Sequence, residues 1–272
     1  MTTDGIQTDF SDRMSYGDYL KLDTLLSAQQ PLSGEQDELL FITIHQVQEL
    51  WMKLLNSELD MAIRHIRDDD LGPSFKCLSR VSRIQIQLIQ AWDVLSTMTP
   101  ADYLRFRPML GSSSGFQSWQ YRRIEFKLGA KNALMLKPHR HRPDIYEPLE
   151  AAFRAPSLYD EALRLLARRG LPVPDDILQR DVTTPHQADS RVEDIWGLIY
   201  RESETHFDLY ELAEELVDVE DSFQHWRFRH MKTVERIIGM RQGTGGSAGV
   251  AYLRQALERS FFPELWSVRT KL

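Results

Sequence analysis

The chain has 272 residues, and its 33 basic against 40 acidic side chains give a net charge of -7, which excludes a protein whose main partner is nucleic acid or an anionic membrane surface. Cys77 is the only cysteine, so an internal disulfide and a thiolate metal cluster are excluded as well. The N-terminal stretch MTTDGIQTDFSDR lacks the basic-then-apolar pattern of a signal peptide, and no apolar run is long enough to span a bilayer; a soluble cytoplasmic protein is expected.

Helix formers dominate, and runs of Val, Ile and Thr alternating with polar residues are almost absent. The expected class is therefore all-α, a bundle of long antiparallel helices. The first fifteen residues are polar and should fray or dock on something else. Tyr16 to Ala28 predicts one short amphipathic helix, stopped around Pro31, and Gly34 to Glu38 reads as a polar link. The stretch LLFITIHQVQELWMKLLNSELDMAIRHI predicts the strongest helix of the N-terminal half, with Leu40, Ile44, Val47, Trp51, Leu54 and Leu55 as its core stripe. Phe41 and His45 lie four apart on the flank of that stripe, one turn from each other. His45 then forms either a pocket wall or a polar cap.

A second long helix is predicted from about Pro73 to Leu95, burying Leu78, Val81, Ile84, Leu88 and Trp92. Thr99-Pro100 reads as an N-cap followed by proline in the first turn, and the short helix should end at Arg107 because Pro108 follows. Tyr103 and Arg107, four apart, point the same way. A small-residue loop, MLGSSSGFQS, precedes a further helix through WQYRRIEFKLG. Seven of the 12 prolines fall between about 137 and 185, among short helical pieces. That region reads as a smaller peripheral helical insertion in a single domain spanning 1–272, with KPHRHRP as a solvated loop. RVEDIWGLIYRES resumes the core helices.

From His206 onward, Leu209, Leu212, Leu216, Val219, Phe223, Trp226, Val234 and Ile237 recur at threes and fours, the period of a helix with one buried face. His230 falls on that stripe, whereas His225 has mostly polar helical neighbours and should face water. The helix ends at Gly239 in the glycine-rich run MRQGTGGSAG, and one more helix and a C-terminal tail follow. An inward histidine, taken alone, reads first as a hydrogen-bonded core residue.

Two motif matches lead nowhere. Gly111-Ser112-Ser113-Ser114-Gly115 fits G-x-S-x-G, but a nucleophile elbow needs a strand before it. Gly243-Thr244-Gly245-Gly246-Ser247-Ala248 fits a dinucleotide pattern, but it follows a helix. What remains there is a flexible loop, either a plain connector or one that closes over a polar ligand. No histidine has glutamate three residues before it, which removes a di-iron bundle, and no HExxH is present. An isolated inward histidine among aromatics better suits haem, which asks the protein for one imidazole. Arg107 reads either as a surface salt bridge or as a bidentate carboxylate clamp. Phe41 and Tyr103 read first as core packing.

Three separated segments, FITIHQVQELWMKLL, DYLRFRPMLGSSSGFQS and WRFRHMKTVERIIGMRQGTGGSAG, closely resemble tryptophan 2,3-dioxygenases of bacterial type. The resemblance runs from about Tyr16 to the C-terminus and is weakest in the proline-rich insertion; the polar link before Leu39 is short for the family. It implies a homotetramer binding haem b, in which both atoms of O2 are inserted across the indole C2–C3 bond of L-tryptophan to give N-formylkynurenine. By the same resemblance His230 is the axial haem ligand, and His45 hydrogen-bonds the indole N–H as a positioning group rather than a base. Phe41 packs on the indole, Arg107 grips the substrate carboxylate with Tyr103 beside it, and Thr244 meets the amino-acid end. Ser114 lies at the haem edge, and Tyr16, with Tyr19 one turn on, reaches a neighbouring subunit's pocket. The contrasting reading is a non-catalytic haem-binding sensor or helical interaction protein on the same scaffold. The loop from Gly243 to Gly249 is expected to be mobile without substrate and ordered with it.

Overall fold

Residues 6–272 are described in a computed structural model, and these residues form helices and turns without a strand. The single helix expected over 16–28 is two, α1 (Tyr16–Leu20) and α2 (Leu22–Leu26). Lys21 between them takes φ 53°, a left-handed conformation that no helix continues through. A capping box between Ser15 and Asp18 starts α1. Tyr16, Tyr19 and Leu26 remain largely exposed, so among the described residues nothing apolar covers them fully.

The bundle is built on α3 (Gln36–Arg67), α4 (Leu71–Leu95) and the later α11 (Phe207–Ile238), with α4 packed against both of the others. The three residues between α3 and α4 force them antiparallel. α3 begins inside the stretch expected to be a link, because Glu38 is buried and its carboxylate accepts from the backbone N–H of Leu32 (2.9 Å) and Ser33 (2.6 Å). Its inward face also differs from the expected stripe. Ile44 and Leu55 are buried, but Leu54 is exposed and Leu40, Val47 and Trp51 are only half-buried. Gln48, Met52 and Asn56 take the inward places, and the Asn56 amide donates to the Gln120 carbonyl at 3.1 Å. The stripe on α4 is buried as its spacing requires.

Thr99 caps α5 (Pro100–Phe106), and the chain then runs through Pro108 as a 3-10 turn over Arg107–Leu110 instead of leaving helical geometry at Arg107. Ser118 caps α6 (Trp119–Leu128). The proline-rich region contains α7 (Pro143–Arg154), α8 (Leu158–Arg168) and the short α9 (Asp175–Leu178). Its parts behave differently: α7 supports a small separate cluster of Phe126, Leu136, Leu149 and Phe153, while α8 packs on α3 and buries Leu158, Tyr159, Leu165 and Leu166 in the main core. The basic run before α7 is not wholly solvated, since His139 is buried.

After α10 (Ser190–Arg201) and α11 come α12 (Val250–Leu257) and α13 (Pro263–Ser267). The expected tail is part of the core. Phe261, Phe262, Leu265 and Val268 are buried. Glu220 of α11 accepts from the N–H groups of Phe261 (2.7 Å) and Phe262 (2.9 Å), and Glu264 accepts from the Tyr159 hydroxyl at 2.9 Å. Among the described residues, no helix is long and apolar enough to cross a membrane.

Candidate active site

A cavity of about 610 Å³ opens between α3, α4, α5, α6, α11 and α12, within the roughly 300–1,000 Å³ usual for small-ligand sites. Phe41, His45, Tyr103, Ser114, His230 and Thr244, drawn from five segments of the chain, all line it.

On α3 the rings of Phe41 and His45 lie 4.1 Å apart. His45 Nδ1 is 2.7 Å from the Phe41 carbonyl oxygen. A carbonyl can only accept, so the proton is assigned to Nδ1 and the Nε2 lone pair is left free. Burial holds the His45 pKa below its ordinary value and the ring neutral.

On α11, His230 stacks on Trp92 of α4 with centroids 4.6 Å apart and planes at 10°, and Trp226 stands 5.3 Å away. Burial first, then the charges of nearby groups, pushes its pKa down to about 3. No hydrogen-bond partner for its ring is present among the described residues, so the neutral imidazole keeps a lone pair for a ligand. His225 is exposed and pairs with Asp221 at 3.3 Å.

Tyr103 of α5 lies 6.0 Å from Phe41, and burial raises its phenol pKa. Arg107 does not line the cavity. Its Nη2 donates instead to the Gln242 carbonyl of the glycine loop at 2.8 Å, and its Nε has no partner. That loop is folded onto the serine loop: the Thr244 hydroxyl donates to the Ser113 carbonyl at 2.5 Å. A Cβ at Gly245 would sit 2.7 Å from Ser114 Cβ, so only glycine permits the approach. Tyr16 and Tyr19 lie on the exposed arm and do not line this chain's cavity.

The family model described as tryptophan 2,3-dioxygenase matches residues 1–272. The chain belongs to the tryptophan 2,3-dioxygenase family. A curated tryptophan 2,3-dioxygenase of Burkholderia pseudomallei (strain 1106a) is 60% identical over 266 residues, covering 98% of this chain and 87% of that relative. One from Burkholderia mallei (strain SAVP1) is 59% identical over the same shares.

For a member of the tryptophan 2,3-dioxygenase family, the residues that sequence reasoning overlooked form one polar wall of the cavity. Arg122 and Arg227 both pair with Glu125, at 2.6 and 3.3 Å, and all three side chains are almost wholly buried. Gln48 and Glu49 complete the wall. The signal was available: Arg227 stands four residues after Phe223, on the buried stripe of α11, where an unpaired charge is too costly to leave alone.

Proposed function

We propose that the chain is a haem-dependent dioxygenase that inserts both atoms of O2 across the indole C2–C3 bond of L-tryptophan and releases N-formylkynurenine. The observation that carries this reading is the pairing of two neutral imidazoles in one aromatic-walled cavity, His230 without a partner and His45 with Nε2 free.

The residues present fit haem b. His230 would hold the iron through the one imidazole nitrogen that haem asks of the protein. The lining around it is largely aromatic and apolar, with Phe41, Trp92, Trp119, Tyr121 and Trp226, which suits a flat apolar macrocycle. Ser114 would lie at its edge. When bound, haem supplies ferrous iron to activate O2.

The chain's own residues orient the substrate and exclude water. Phe41 packs against the indole, and His45 Nε2 accepts a hydrogen bond from the indole N–H. Burial lowers the basicity of His45, which favours positioning over proton abstraction. Arg107, with Tyr103 one turn before it, pairs with the substrate carboxylate by exchanging the Gln242 carbonyl for it. Thr244 meets the amino-acid end once its hydroxyl turns from Ser113. The bare arm carrying Tyr16 and Tyr19 supports a homotetramer in which these tyrosines reach a neighbouring subunit's pocket. Residues 1–272 act as one domain, a reading supported by the burial of α8 against α3.

The test is direct. Reduced, haem-loaded protein mixed with L-tryptophan in air should develop the absorbance of N-formylkynurenine, and haem-loaded protein that binds L-tryptophan without forming it would overturn the proposal.

A further inference from the structure

We propose that Glu125 is a positioning residue that holds the two covers of the cavity, the segment 112–118 and α12, in register with each other. One arm runs from Glu125 Oε2 to Arg122 Nη1 at 2.6 Å, and Arg122 Nη2 then donates to the Phe116 carbonyl at 3.3 Å. The same guanidinium lies 4.8 Å from the centre of the Phe116 ring. The other arm runs from Glu125 Oε1 to Arg227 Nη2 at 3.3 Å, and Arg227 Nη1 donates to the Arg259 carbonyl, just past the end of α12, at 3.2 Å. Arg227 also lies 4.8 Å from the Phe261 ring centre. The circuit closes between the covers, where Phe116 meets Tyr252 of α12 at 5.9 Å, edge to face.

These contacts are not what fastens the helices together. α6 is tied to α3 independently by Lys127, which donates to the Asn56 carbonyl at 2.7 Å and pairs with Asp60 at 2.7 Å. The chain beyond α12 is tied to α11 by Glu220. What the Arg–Glu–Arg triad adds is a link between segments that cover the cavity, through one carboxylate almost wholly out of water. Charge-assisted bonds in such surroundings are strong and directional, so both arms lose their geometry when the central charge is removed.

The proposal rests on the reading above for the choice of haem and L-tryptophan as the ligands, not for the contacts themselves. Hydrogen–deuterium exchange of the haem-loaded protein tests it without turnover. Glu125→Gln should exchange faster in 112–118 and in 250–259 together, with α3 and α4 unchanged. The KM for L-tryptophan should rise about tenfold while kcat falls by less, because ground-state cover is lost before chemistry. Should that variant not fold, Arg122→Gln and Arg227→Gln each cut one arm. Each should loosen both covers, and their combined effect on KM should be smaller than the product of the single effects. Unchanged exchange in the covers of Glu125→Gln overturns the proposal. So does loosening of one cover per arginine variant, with KM effects that multiply. Failure of wild-type turnover would instead count against the functional reading, since the exchange pattern does not depend on it.

Discussion

Gly245→Ala tests whether the glycine loop must lie on the serine loop for the substrate to be held. The added Cβ would sit 2.7 Å from Ser114 Cβ and 3.1 Å from its hydroxyl, whereas carbon atoms in good contact stand about 3.5–4.0 Å apart. Ser114 Cβ is fixed to the backbone and cannot swing aside, so the glycine loop must lift by about 1 Å. Such a lift carries Thr244 away from its place beside Ser113, where it lines the cavity to meet the amino-acid end of the substrate. Overpacking of this kind costs about 1–3 kcal/mol, which corresponds to a roughly 5- to 150-fold weaker closed state. Steady-state rates against L-tryptophan should show KM raised within that range, with haem content unchanged. Placed on a Ser114→Gly background, which removes the obstructing Cβ, the same substitution should have little further effect. A Gly245→Ala enzyme with wild-type KM refutes the close approach as a requirement for binding, and an equal penalty on both backgrounds refutes the contact with Ser114 as its cause.

Other outcomes follow from the same geometry. His230→Ala should be purified largely without haem, as read from the Soret band, while His225→Ala, whose side chain is exposed, should keep it; the reverse pattern would mean the ligand is misassigned. Arg107→Lys should raise KM for L-tryptophan by about 2 kcal/mol, the lower end of the range for a buried pair because Arg107 is only half-buried. Tryptamine, which lacks the carboxylate, should be a poor substrate of the wild type and indifferent to that change; tryptamine matching L-tryptophan in the wild type would remove the clamp. Because burial holds His45 below its ordinary 6.5, the ring stays neutral down to that pH. KM should therefore be flat from about pH 8 to 6.5 and rise only in more acid solution. An inflection above 6.5 would contradict this.

Much of the fold was legible because long helices with one buried face leave a clear period. The stripes of α4 and α11 and the Thr99-Pro100 start of α5 follow directly from their spacing. The phase of α3 was misread for a physical reason. Periodicity assigns apolar residues inward, but Gln48 lines a cavity and Asn56 is satisfied by a carbonyl of α6, so polar residues face in while Leu50 and Leu54 face out. The break at Lys21 carries no glycine or asparagine to announce it. The C-terminal segment looked like a tail because Glu220, which caps the N–H groups of Phe261 and Phe262, lies some forty residues away. At the site, Phe41, His45, Tyr103 and His230 come together from spacing that placed each on an inward or flanking face. That Arg107 would be held by Gln242, and that Glu125 of α6 would pair with Arg227 of α11, depends on contacts between distant segments, which no local pattern records.

The central claim is tested most directly by one turnover experiment. Haem-loaded, reduced protein is mixed with L-tryptophan and O2 made from heavy oxygen, and the product is weighed by mass spectrometry. N-formylkynurenine carrying two heavy oxygen atoms is the predicted result. A product carrying a single heavy atom, or unchanged L-tryptophan in the presence of bound haem, would contradict it.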